Sequence, residues 1–86
     1  MHELVCPVCF RVFPPGALPR ERPACPDCDS EGIGTDAVPI EGFLRAHPAG
    51  ELRGWLASWE KTRGVPGEYK QARARRLRAL IRRSPG

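Results

Sequence analysis

Eighty-six residues carry a net charge of +4, four cysteines, ten prolines and nine glycines, and a chain this short buries too little apolar surface to fold comfortably without disulfides or a metal. No apolar run is long enough to span a membrane, and Met1-His2-Glu3-Leu4-Val5-Cys6 lacks the basic n-region and apolar stretch of a secretory signal. A cytoplasmic location is therefore expected, where thiols stay reduced and paired cysteines more often hold metal than each other.

The first stretch, Leu4 to about Val38, is rich in Pro, Gly and Asp and has only short apolar clusters: Leu4-Val5, Val12-Phe13, Ile33 and Val38. That pattern predicts short strands and turns. Pro14-Pro15-Gly16 ends any strand begun at Phe10, which leaves a loop as far as Pro23. All the cysteines fall in this stretch, as Cys6-Pro7-Val8-Cys9 and Cys25-Pro26-Asp27-Cys28, two copies of C-P-x-C separated by fifteen residues. Two thiolates three positions apart in a tight turn can face one ion, and two such turns complete a tetrahedron. Proline at the second position fixes φ and stiffens each turn before metal arrives. A thioredoxin-like redox role needs one such pair inside an alternating strand and helix pattern, which is absent here.

These knuckles resemble those of the zinc ribbon group, including rubredoxin-like ribbons, which commonly read C-P-x-C-G with an aromatic a few residues later. Phe13 sits where that aromatic would be after the first knuckle. The resemblance covers about residues 4–40 and speaks to fold more than to role. It implies a ribbon of short antiparallel strands around one structural Zn2+. The sequence departs from the group's pattern at the glycines, replaced by Phe10 after the first knuckle and Asp29 after the second. Phenylalanine adopts left-handed φ poorly, so the first turn is expected either to differ from the family geometry or to expose Phe10 to a partner.

Ile40, Phe43 and Leu44 suggest one helical turn before His47-Pro48 interrupts it. Leu52, Trp55, Leu56 and Trp59 follow at i, i+3, i+4 and i+7, one face of an amphipathic helix over 49–62 that stops near Gly64. Both tryptophans are expected in the core, packed on the ribbon with Phe43 and Leu44 nearby. A last helix opens at Pro66 with Glu68 in its first turn. Its apolar stripe is Tyr69, Ala72, Leu77, Leu80 and Ile81, opposite Gln71, Arg75, Arg78 and Arg82. The short link from Arg63 to Pro66 suits an antiparallel helical hairpin. The expected architecture is a small metal-bound α+β protein, with a zinc ribbon over 1–39 and a helical region over 40–86.

From Lys70 onward the chain carries seven basic residues and no acidic one, so the residues before it sum to −3. A basic tail on a mildly acidic body points to an anionic partner. Lys70, Arg73, Arg75, Arg76, Arg78, Arg82 and Arg83 are the candidate phosphate ligands, since guanidinium groups match phosphate geometry. A solvated helix face and an acidic protein or lipid surface are the competing readings of the same arginines.

Four thiolates around zinc leave no coordination position for water or substrate, which speaks against hydrolytic chemistry. Carboxylate pairs at a telling spacing, a phosphate-binding loop and a serine-centred motif are all absent from the sequence, and His2 and His47 are given no role. The expectation is a noncatalytic protein without a small-molecule substrate, acting as a nucleic-acid-binding or regulatory factor. The alternative is an adapter docking on a larger machine such as RNA polymerase or the ribosome. A lesser one is a rubredoxin-like electron carrier with iron in the same cage.

Overall fold

The computed structural model describes residues 2–84, and its contacts divide the chain into two compact units, one ending at Phe43 and the other beginning at Leu44. The first is a small α+β unit. Strand β1 (Leu4–Val5) lies between β2 (Val12–Phe13) and β3 (Val38–Pro39), antiparallel to both. Leu4 faces Phe13 and Pro39 across the ladders, and Val5 faces Val12 and Val38. Pro39 is tolerated because β3 is an edge strand and a proline there sacrifices no central ladder bond. Helix α2 (Ile40–Ala46) follows β3 directly, its first amide donating to the Glu3 carbonyl at 3.0 Å. It is longer than the single turn expected, and Ile40, Phe43 and Leu44 are all buried, as their i, i+3, i+4 spacing requires.

The turn between β1 and β2 carries the first cysteine pair. The Phe10 amide donates to the Cys6 carbonyl at 2.9 Å and the Cys6 amide to the Arg11 carbonyl at 3.0 Å, which closes the loop. Phe10 then has φ +64°, the left-handed conformation that the usual glycine supplies. The turn thus takes a left-handed residue at this position despite the side chain. Nor is Phe10 offered to a partner: it is 4% exposed. Burial of the ring offsets a backbone cost of about 1–2 kcal/mol.

This balance gives an expectation opposite to the usual helix and strand rule. Phe10→Ala loses the ring, at about 3–5 kcal/mol, and keeps the backbone cost. Phe10→Gly loses the ring and relieves the backbone, so it should be the more stable variant by about 1 kcal/mol. Urea melts of the metal-loaded variants test this, and an alanine variant more stable than the glycine one would count against the left-handed turn.

The second cysteine pair departs from the expectation of two like turns. Pro26–Ser30 form a short helix, α1, with Cys25 as its N-cap residue. Asp29 is therefore helical rather than left-handed. Helix α1 ends in a Schellman motif: the Gly32 amide donates to the Asp29 carbonyl at 3.0 Å and the Ile33 amide to the Cys28 carbonyl at 2.9 Å, with Gly32 at φ +79°. The left-handed position thus moves three residues downstream, to a true glycine. The returning chain pairs with the approach to α1 through an Ala24–Asp36 bridge and an Ala37 amide to Pro23 carbonyl bond of 2.7 Å.

The second unit is built on α3 (Ala49–Lys61) and α4 (Gly67–Arg83). Pro48 precedes α3, and its carbonyl accepts the Glu51 and Leu52 amides at 2.9 and 3.1 Å. Thr62 caps the other end, with its hydroxyl donating to the Ser58 carbonyl at 2.7 Å. Gly64, at φ +85°, turns the chain back, and Pro66 stands as N-cap of α4. Contacts run from Thr62–Lys70 through Trp59–Tyr69 to Glu60–Arg78, so the helices are antiparallel, as their short connection implies. Leu52, Ala74, Leu77 and Leu80 are buried in this unit. Trp55 and Trp59 are only half-buried. Trp55 meets His47 at 4.9 Å between ring centroids and Trp59 meets Tyr69 at 6.0 Å. Among the described residues no helix is long and apolar enough to cross a membrane.

Candidate metal centre

Cys6 and Cys9 come from the β1–β2 turn, Cys25 from the N-cap of α1 and Cys28 from its first turn. All four are buried, none more than 1% exposed, and their sulfur atoms lie within 4.8 Å of one another. The closest pairs cross between the two motifs: Cys6 Sγ to Cys28 Sγ is 3.5 Å and Cys9 Sγ to Cys25 Sγ is 3.6 Å. A tetrahedron of ligands about 2.3 Å from its ion has edges of about 3.8 Å, so the four sulfurs already stand at nearly the separation that tetrathiolate coordination needs. They are free thiols, well beyond the roughly 2.05 Å of a bonded pair. The donor set fits a single ion, and these four residues can hold a metal.

Local interactions fix both halves of the site. The two hydrogen bonds of the first turn hold the backbone of Cys6, while the Cys25 amide donates to the Thr35 carbonyl at 3.2 Å and the Asp29 amide to the Cys25 carbonyl at 2.8 Å. Arg11 Nη1 donates to Asp27 Oδ2 at 2.9 Å, joining the end of the first turn to α1. Phe13, Ala37, Leu4, Val8 and Leu18 surround the sulfurs with apolar surface. Phe13 thus occupies the place expected of the aromatic that follows the first knuckle.

Burial dominates the acidity of the thiols. It pushes Cys9 up to about 11, with the neighbouring Cys6 and Cys25 sulfurs adding to the effect against the Arg11 amide. Burial and the same crowding of sulfurs push Cys28 up further still. At Cys6 burial acts in the same direction, but hydrogen bonds from the Cys9 and Val8 amides and from neighbouring thiols outweigh it and hold the group below its ordinary value. Thiols whose protons burial retains, as at Cys9 and Cys28, make a site that trades protons for a cation.

The basic candidates do not form one set. Arg73 is 5% exposed, with its guanidinium carbon 3.4 Å from the Tyr69 ring centroid and 5.4 Å from that of Trp59. This corrects its place among the phosphate ligands: Arg73 precedes Leu77 and Leu80 by four and seven positions, so it lies on their buried face and its charge is met by aromatic rings. Lys70 is half-buried and donates to the Thr62 carbonyl at 3.2 Å, at the C-terminal end of α3. Arg76 is half-buried as well. Arg75, Arg78, Arg82 and Arg83 are exposed, as is Gln71, and Arg78 pairs with Glu60 at 3.1 Å. Glu60 was not among the residues marked by the sequence, because its pairing crosses between helices rather than along one.

Charge separates along the same boundary as the fold. Residues 44–86 carry eleven basic and three acidic side chains, a net +8, while residues 1–43 carry three basic and seven acidic, a net −4. No protein-family model matches the chain, and no curated protein or solved structure is significantly similar to it.

Proposed function

We propose that the chain is a noncatalytic zinc protein of a reducing compartment, in which the four thiolates support the N-terminal unit and helix α4 binds nucleic acid through its phosphates. Zinc is favoured over iron because a closed tetrathiolate cage suits a structural ion, and because an arginine-rich helical unit serves no evident purpose in an electron carrier. The observation that carries the nucleic-acid reading is the exposed face of α4. Arg75, Arg78 and Arg82 stand at i, i+3 and i+7, exposed, on a unit of net charge +8. Such a stripe contacts a phosphate backbone without reading bases, and binding of this kind is driven by release of condensed counterions. The adapter reading calls for an exposed apolar patch of several hundred Å². Among the described residues the large exposed hydrophobic is Ile33 alone.

Fluorescence anisotropy of labelled duplex and single-stranded oligonucleotides, read across a salt series, tests this reading. With the four exposed arginines of α4 engaged, the slope of log K against log salt is expected at about −3.6 on duplex and about −2.8 on single strands. Arg75→Gln should flatten the duplex slope by about 0.9. Arg73→Met, which alters a buried group, should leave it unchanged. Absence of salt-sensitive binding to either nucleic acid overturns the reading.

A further inference from the structure

Between α3 and α4 lies a surface cleft of about 260 Å³, lined by Glu60, Lys70, Gln71, Ala74 and Arg78. Lys70, Ala74 and Arg78 are spaced by four residues, so they follow one another along one side of α4. The short side chain of Ala74 leaves a gap between two long cationic ones. Both cations are positioned by contacts across the helix pair. Lys70 Nζ donates to the Thr62 carbonyl at 3.2 Å, which uses one of its three N–H groups. Arg78 Nη2 donates to Glu60 Oε2 at 3.1 Å, one of five N–H groups on that guanidinium.

We infer that this cleft is the seat of a single phosphate group, held between Lys70 and Arg78 above Ala74, and that Glu60 is an internal competitor displaced when the phosphate enters. The inference deepens the reading of α4 as a phosphate-binding helix and rests on it. The carboxylate of Glu60 marks where an anion is held in the absence of ligand. Its pair with Arg78 is half exposed on both sides, and a pair of that kind contributes little and is screened by water. A phosphate offers more acceptor oxygens and can take two parallel guanidinium bonds, with the Lys70 ammonium and the Gln71 amide for its remaining oxygens. The same chemistry is presented by a phosphodiester within a strand and by a free phosphate, and the titrations separate the two sources.

The zinc-loaded full chain is titrated, with amide and arginine side-chain NMR signals followed, first with inorganic phosphate and then with a short single-stranded oligonucleotide. Both ligands are expected to shift Gln71, Ala74 and the Arg78 side chain. Glu60→Gln should tighten binding by about threefold to tenfold, and Arg78→Gln should weaken it by about tenfold. Glu51→Gln changes net charge equally on the same helix α3 but away from the cleft, and should change affinity by less than about twofold. Arg82→Gln should weaken the oligonucleotide and leave inorganic phosphate unaffected. If E60Q is indistinguishable from E51Q and R78Q from R82Q, the seat is overturned while the basic helix stands. If inorganic phosphate shifts the cleft and the oligonucleotide does not, the seat is upheld for a free phosphate and the nucleic-acid reading fails. If neither ligand moves Ala74 or Arg78, the seat is overturned, and the nucleic-acid reading falls with it only if the oligonucleotide also fails to bind.

Discussion

Stripping zinc from the loaded protein with a chelator is expected to unfold residues 2–43 and to leave α3 and α4 helical. The sulfurs of Cys6, Cys9, Cys25 and Cys28 lie at the centre of the N-terminal cluster, and the strands around them are only two residues long. Structural zinc contributes on the order of 10 kcal/mol to small domains of this kind, as much as the whole net stability of an ordinary domain. The helical unit has its own core, in which Leu52, Leu77 and Leu80 are fully buried, and it includes no ligand. Chelation should therefore collapse the amide dispersion of the first unit in a proton–nitrogen NMR spectrum, while far-ultraviolet circular dichroism retains the signal of α3 and α4. Replacing any one cysteine by serine should reproduce the effect, with zinc falling from one per chain towards none. An unchanged spectrum for residues 2–43 after chelation would falsify the claim that the ion holds this unit together.

The affinity for zinc should rise steeply with pH. A cysteine binds metal as thiolate, so every thiol that carries a proton in the metal-free protein releases it on binding. Cys9, with its pKa raised to about 11, and Cys28, raised further, are both protonated in the metal-free protein at neutral pH. Acid favours the free form by adding protons that zinc must displace, and alkali favours the bound form. Release of these two protons alone should change apparent affinity by about 100-fold per pH unit across the range from about pH 6 to about pH 8. Competition against a chromophoric chelator at several pH values measures the slope. A slope near zero would mean that the thiols are already ionised in the free protein.

Part of this architecture was legible in local patterns. The matched C-P-x-C motifs placed Cys6, Cys9, Cys25 and Cys28 at one centre, because ligand spacing in a tight turn is a property of a few consecutive residues. The period of Leu52, Trp55, Leu56 and Trp59 placed α3 over Ala49–Lys61, within a residue of the expected span, and Gly64 and Pro66 bracketed the start of α4 for the same local reason. The opposition of Leu77 and Leu80 to Arg75, Arg78 and Arg82 was also legible as a helical period.

What depended on distant residues was not legible. The second C-P-x-C was expected to repeat the first, yet it caps a helix, because Thr35, Asp36 and Ala37 pair back onto the approach to Cys25. Phe10 was expected either to alter the first turn or to be exposed. The ring is instead buried, and its burial outweighs the preference of an L residue against positive φ. Arg73 read as one more arginine in a basic run until Tyr69 and Trp59 enclosed it. The sequence by itself determined the four-thiol ligand set and the helical periods, since both follow from contacts within a turn or two of chain. Only the tertiary structure decided which cations remain at the surface and which motif becomes a turn or a helix. Those outcomes are set by pairings across the sheet, the helix pair and the cysteine cluster, and no local window contains both partners.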